Sequence, residues 1–109
     1  MDFEQQAGKP NLLYLVTWKD KVRSVTPTEF HVGPSIYQDY HTYQMTWTKT
    51  SVIYTIDGVM VASVYTNVPQ DAAYVFLNHW GGNDPNWGGT ATIGVDRWMW
   101  VQSFSYEAK

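Results

Sequence analysis

An antiparallel all-β sandwich is the fold this sequence predicts, and three observations predict it. Apolar and polar residues alternate with a period of two over several short runs, turn-forming residues punctuate the runs, and no stretch repeats its apolar residues at helical spacing. The pattern accommodates roughly five to seven strands, a number suited to two packed sheets. The clearest unit is His41 to Val64, read as two strands folded about Asp57-Gly58. Asp-Gly between alternating runs is a strong hairpin signal, because both central residues of a type I′ turn take positive φ. A two-residue turn sets Ile56 opposite Val59. Tyr54 and Val52 then share a face with Val61 and Ser63, while Thr55 and Ile53 share the other with Met60, Ala62 and Val64. Apolar groups on both faces place this ribbon inside a layered structure.

The remaining elements follow in chain order. Residues Asp2 to Gly8 form a short extended opening with carboxylates at alternate positions. Lys9 to Ser24 reads as one strand, with Leu13, Leu15 and Thr17 on one face and Tyr14, Val16 and Trp18 on the other, ending in the charged run Lys19, Asp20, Lys21 and Arg23. Val25 to Tyr37, which carries Pro27, Gly33 and Pro34, is a connection or a short edge strand. Asn67 to Asp71 is a turn, since Pro69 restricts itself and Val68. Ala73 to Trp80 alternates as a strand, Gly81 to Gly94 is a Gly-rich loop holding Trp87, and Arg97 to Glu107 is a closing strand with Trp98, Trp100, Gln102, Phe104 and Tyr106 on one face.

Composition narrows the function. Aromatic residues make up 17% of the 109 positions, with six Trp and eight Tyr, more than a core of this size requires, so some rings are predicted to be exposed for binding. A net charge of −3 with no basic run argues against nucleic acid. The absence of cysteine leaves neither a disulfide framework nor a thiolate metal site. No apolar run is long enough to span a bilayer, so no membrane partner is expected, and Met1 is followed by Asp2 and Glu4, the reverse of a basic signal-peptide start.

Few side chains are arranged for chemistry. Asp2 and Glu4 lie two apart, so a strand points both to one side, where mutual repulsion raises one carboxyl's pKa and suits it to general acid work. By base rate the same pair is a solvated tail. Asn78 and Trp80 project from one face of their run beside the loop that bears Trp87. An indole that stacks on a sugar ring, with an amide to bond its hydroxyls, makes a carbohydrate platform, although Trp80 also reads as a core residue. Trp18 joins these as a fourth substrate-binding candidate. His31, His41 and His79 lack metal-ligand spacing and read as packing or surface residues, so no metal is expected. Gly81-Gly82 and Gly88-Gly89 match no phosphate loop.

Taken in order, Met1-Asp2-Phe3-Glu4, Tyr40-His41-Thr42-Tyr43-Gln44-Met45-Thr46-Trp47, Tyr54-Thr55-Ile56-Asp57-Gly58, Asn67-Val68-Pro69 and Leu77-Asn78-His79-Trp80 resemble the second half of a glycoside hydrolase family 16 domain. The resemblance covers nearly the whole chain. It implies a concanavalin A-like jelly-roll sandwich, of which residues 1–109 are the C-terminal part, about half. It also implies retaining hydrolysis or transfer on β-1,3/β-1,4-linked glucans or related polysaccharides, without a cofactor. The family's strand motif is E-x-D-x-E, and here Asp2 matches the assisting Asp and Glu4 the acid/base. The nucleophile is then expected upstream of Met1, in the missing N-terminal half, and the parent protein outside the cell or in the cell wall, although no signal peptide is present here. The alternative from another class is a catalytically silent carbohydrate-binding or structural sandwich. Two structural expectations follow: Asn78 and Trp80 share the surface of Asp2 and Glu4, and apolar groups such as Ile53, Val75 and Leu77 are left uncovered.

Overall fold

The computed structural model describes residues 1–6, 8–20, 22–23, 28–33 and 36–108, with backbone alone at 22, 23 and 28; Lys21, Pro27 and Pro34 lie outside the described residues. Its strands are β1 (Asp2–Gln5), β2 (Leu12–Val16), β3 (Trp18–Lys19), β4 (Val22–Arg23), β5 (Thr28–His31), β6 (Tyr43–Trp47), β7 (Val52–Ile56) and β8 (Val59–Val64). All pairs are antiparallel and no helix occurs among the described residues. One sheet has the order β1-β2-β5 and a second β6-β7-β8, with β3-β4 a short separate ribbon.

The two larger sheets meet face to face. Alternation along β2 turns Leu13 and Leu15 inward, where Phe3 and Phe30 join them from the flanking strands. Alternation along β7 turns Val52, Tyr54 and Ile56 to meet them, and Val68 closes the end of the layer. Leu15, Val52 and Tyr54 are all but inaccessible to solvent. Each large apolar side chain so enclosed contributes about 1.5–3 kcal/mol over its exposed state. Tyr54 adds an edge-to-face contact with Phe3 at 5.1 Å and 90°.

The Asp57-Gly58 turn forms as the sequence predicts, with φ of 51° and 78° and Ile56 opposite Val59. Two details of this stretch differ. It contains three strands, because β6 pairs with β7 across a turn at residues 48–51, where Thr48 Oγ1 accepts the N–H groups of Thr50 (3.2 Å) and Ser51 (3.0 Å). A hydroxyl that mimics a backbone turn does the work there, without glycine or proline. Secondly, the ladder slips between Tyr54 and Thr55, so Ala62 lies opposite Tyr54 and Val64 opposite Val52. This bulge sets two β8 residues against one on β7, and Val61, Ala62 and Val64, not Val61 and Ser63, pack against the core.

The predicted strand over 9–24 is broken. It divides into β2, β3 and β4, and Asp20, in the charged run, takes a positive φ of 52°. The connection over 25–37 contains β5, an edge strand as one of the two readings has it. Ala73–Trp80 and Arg97–Glu107 are not strands: neither segment joins a ladder, and both are exposed throughout. Their period of two persists in ring pairs two residues apart, Tyr74 with Phe76 and Trp98 with Trp100, each at 6.3 Å. The alternation specifies an extended chain, but a strand also needs a backbone partner, and none is offered among the described residues. Val75 and Leu77 are exposed, as expected, whereas Ile53 is half-buried.

Candidate active site

β1 sorts its side chains by parity. Phe3 points into the sandwich, 5.1 Å from Tyr54 and 5.4 Å from Tyr43, so Asp2 and Glu4 occupy the opposite face. Antiparallel register sets Asp2 against Val16 and Glu4 against Tyr14, and Tyr14 in turn against Glu29 of β5. This outer face of the first sheet gathers the candidate site.

Asp2 accepts a hydrogen bond from the Trp18 indole, Nε1 to Oδ2 at 3.2 Å. An indole N–H can only donate, so the contact orients a carboxylate. From the core side, the Tyr54 hydroxyl donates to the Val16 carbonyl at 2.9 Å, directly behind the register partner of Asp2. Burial, then the charge of Asp2, pushes the Tyr54 phenol far above its ordinary range, so it is a permanent donor.

Glu4 is half-buried beside Tyr14, which is 5% exposed. The Tyr14 hydroxyl accepts a hydrogen bond from Lys9 Nζ at 2.9 Å, and this bond chiefly holds the Lys9 ammonium above its ordinary pKa. Trp87 packs on Tyr14, ring centroids 5.3 Å apart and tilted 41°. Its loop is closed locally: Asp84 Oδ1 accepts the Asn86 N–H at 2.8 Å, the Asp84 carbonyl accepts from Trp87 and Gly89, and Asn83 Oδ1 accepts from Ala91. Gly89 takes the positive φ of 78° that this closure needs. Gln6, two residues beyond Glu4, is 4% exposed, with neither amide atom hydrogen-bonded among the described residues.

Of the six residues singled out from sequence, Asp2 and Trp18 meet directly, Glu4 shares the face of Asp2 on β1, and Trp87 packs on Tyr14, the register partner of Glu4. Asn78 and Trp80 do not join them: both are exposed, and among the described residues neither is seen hydrogen-bonded or ring-stacked to this group. The Trp80 ring lies instead against Gly82, where an added Cβ would come within 3.0 Å of it. Sequence reasoning missed Tyr14, Lys9 and Tyr54. Alternation along β2 did place Tyr14 on the same face as Trp18, but only the β1–β2 register makes it a neighbour of Glu4. No group of three or more His, Asp or Glu side chains is placed to hold a metal among the described residues. No described helix is long and apolar enough to cross a membrane.

Chemically, the face offers two carboxylates on one strand, one bonded by an indole N–H and the other paired in register with a tyrosine, groups able to take up and release protons. The chain is also similar to known proteins. The Crh-like protein CRH11 of Candida albicans is 30% identical over 61 residues, covering 52% of this chain and 14% of that protein. A beta-glucanase of Bacillus licheniformis is 28% identical over 69 residues, covering 63% and 24%. A Crh-like protein of Arthroderma benhamiae is 27% identical over 92 residues, covering 79% and 20%. The chain thus spans between 14% and 24% of the length of these relatives. No solved structure matches it significantly. Residues 1–98 match the sequence profile of "Glycosyl hydrolases family 16", and with nearly the whole chain inside that match it belongs to this family.

Proposed function

We propose that residues 1–109 are the C-terminal part of a family 16 catalytic domain that hydrolyses or transfers β-1,3/β-1,4-linked glucan chains with retention. The observation that carries the reading is the parity of β1, which sends Phe3 into the core while Asp2 and Glu4 share the face of Trp18 and Tyr14. In this proposal Glu4 is the acid/base. It protonates the glycosidic oxygen as the bond breaks, then takes a proton from the incoming water or sugar hydroxyl. Asp2 assists the attacking group, its own orientation fixed by the Trp18 N–H. The attacking carboxylate is proposed two residues before Asp2 on the same strand; retention requires its carboxyl group to stand about 5–5.5 Å from that of Glu4. Trp87 and Trp18 flank the chain being cleaved, while Asn78 and Trp80 bind sugar further along it. A polymer of this kind is met outside the cell or in the cell wall, where the parent protein is proposed to work.

The test uses the protein with its upstream segment in place. Glu4→Gln should lower turnover of laminarin or barley β-glucan by about 10²- to 10⁴-fold. Partial recovery is expected on a glucoside with an activated leaving group, which needs no protonation. Asp2→Asn should be milder. Unchanged polysaccharide turnover in Glu4→Gln would remove Glu4 from the mechanism. Residues 1–109 alone should show no turnover, since no glycosyl-enzyme forms without the nucleophile.

A further inference from the structure

Asp57-Gly58 is the only Asp-Gly step in the sequence. Such a step is chemically weak. The Gly nitrogen, unhindered by a neighbouring side chain, can attack the Asp carboxyl carbon. A new C–N bond forms, water leaves from the carboxyl group, and a succinimide results. Water then opens either carbonyl of the ring, returning Asp or giving isoaspartate, in which the main chain runs through the side-chain carbon.

The surroundings of this step would favour that reaction. Asp57 is 51% exposed, and nothing lies within 4 Å of a Cβ built on Gly58. Water has free access and sterics do not protect the turn. The carboxylate, however, is fully engaged. Asp57 Oδ2 lies 2.7 Å from His41 Nδ1, Oδ1 accepts the Thr42 N–H at 2.8 Å, and the Asp57 N–H donates to the Thr42 carbonyl at 2.9 Å. Topology gives these contacts their direction. β7 lies between β6 and β8, and His41 and Thr42 lead into β6, whereas Gly58 leads into β8.

We propose that Asp57-Gly58 is a latent isomerisation site kept closed by the clasp of His41 and Thr42 on the Asp57 carboxylate. The clasp ties the carboxyl group to residues that lead into β6, whereas the nitrogen that would attack it belongs to Gly58, which leads into β8. It also lowers the protonated fraction of the group, the form that loses water most readily: the His41 hydrogen bond, then the Thr42 N–H, holds Asp57 below the usual carboxylate range. The other ionisable group at this corner, Tyr43, stays neutral, its phenol pushed up by burial and by the charge of Asp57. The consequence reaches the core. Isoaspartate adds a main-chain carbon to the corner that sets Ile56 opposite Val59, and register on β7 decides which side chains are buried.

The experiment is proteolytic mapping of the native protein after prolonged incubation near neutral pH, with the Asp57 and isoaspartate forms of the turn peptide separated and quantified. Isomerisation should be at least roughly tenfold slower in the folded protein than in the same protein unfolded in urea, and folded His41→Ala should regain much of the difference. In urea the two proteins should isomerise equally. If His41→Ala does not fold, His41→Gln takes its place, and the folded-against-urea comparison of the unmodified protein decides independently of both. Equal rates in folded and unfolded protein, or a folded His41 variant as slow as the parent, would overturn the proposal.

Discussion

Tyr54→Phe isolates one hydrogen bond at the join between the two sheets. The ring is inaccessible to solvent and its hydroxyl donates to the Val16 carbonyl at 2.9 Å, so the substitution removes one oxygen and leaves the ring's packing on Phe3 in place. No cavity of consequence is created. The cost is therefore that of leaving a buried acceptor without this donor, about 1–3 kcal/mol. For a chain of this size that lowers the melting temperature by roughly 4–8 °C per kcal/mol. Urea unfolding of the parent and Tyr54→Phe, with equal m-values, reads the difference directly. The pH profile gives a second signature. A raised tyrosine pKa means the folded state holds its proton while the unfolded chain, ionising near pH 10, has released it. The Tyr54 contribution is thus complete below about pH 10 and lost as pH climbs toward the raised folded value. Tyr54→Phe should flatten this alkaline loss. A phenylalanine variant as stable as the parent at neutral pH, with the same alkaline decline, would show that the hydroxyl does not join the sheets.

Three further outcomes are expected. A double-mutant cycle between Tyr14 and Trp87, each changed to Leu and followed by urea unfolding, should give a coupling of about 0.5–1.5 kcal/mol, and zero coupling would mean the loop is not anchored through this pair. Asp57 is depressed by His41, so the stability it contributes is present above the ordinary carboxylate range and lost as pH falls through its lowered pKa; in His41→Ala that acid loss should shrink, and parallel stability curves would contradict it. Residues 1–109 expressed alone should associate, because Tyr74, Phe76, Trp98 and Trp100 are 73–88% exposed, and sedimentation showing a monomer at every concentration would argue against those rings as a sticky face.

What could be read from sequence was what is local. Asp57-Gly58 announced its turn because positive φ at both positions leaves few alternatives, and the Asp2/Glu4 parity needed only a strand through them. The bulge at Tyr54 was illegible, since counting outward from a turn assumes an unbroken ladder. The Thr48 turn was missed because its signal is one hydroxyl bonded to two N–H groups, without Gly or Pro. Residues 73–80 and 97–107 show the limit from the other side: their alternation was read as two strands and they are not strands, because a partner strand is not a property of the segment. The site divides in the same way. Its carboxylates share one strand and were visible, whereas Tyr14 and Tyr54 matter through register and sheet packing, which no single run encodes.

The slipped pairing on β8 also bears on which changes of length this hairpin can absorb. Removing one residue from a strand ordinarily turns every later side chain to the wrong face. Here Val61 is the surplus residue against Tyr54, and Ala62, Ser63 and Val64 already lie opposite Tyr54, Ile53 and Val52. Excising Val61 would leave an uninterrupted ladder from Val59 to Val64 with those three pairings intact, sacrificing the packing of Val61 on both core clusters and the extra local twist. Excising Met45 from the regular β6–β7 ladder has no such outlet, because each residue beyond the gap would lose its partner. The two edges of β7 therefore stand under different rules for insertion and deletion, and a comparison of chain lengths among relatives should find the gaps on the β8 side.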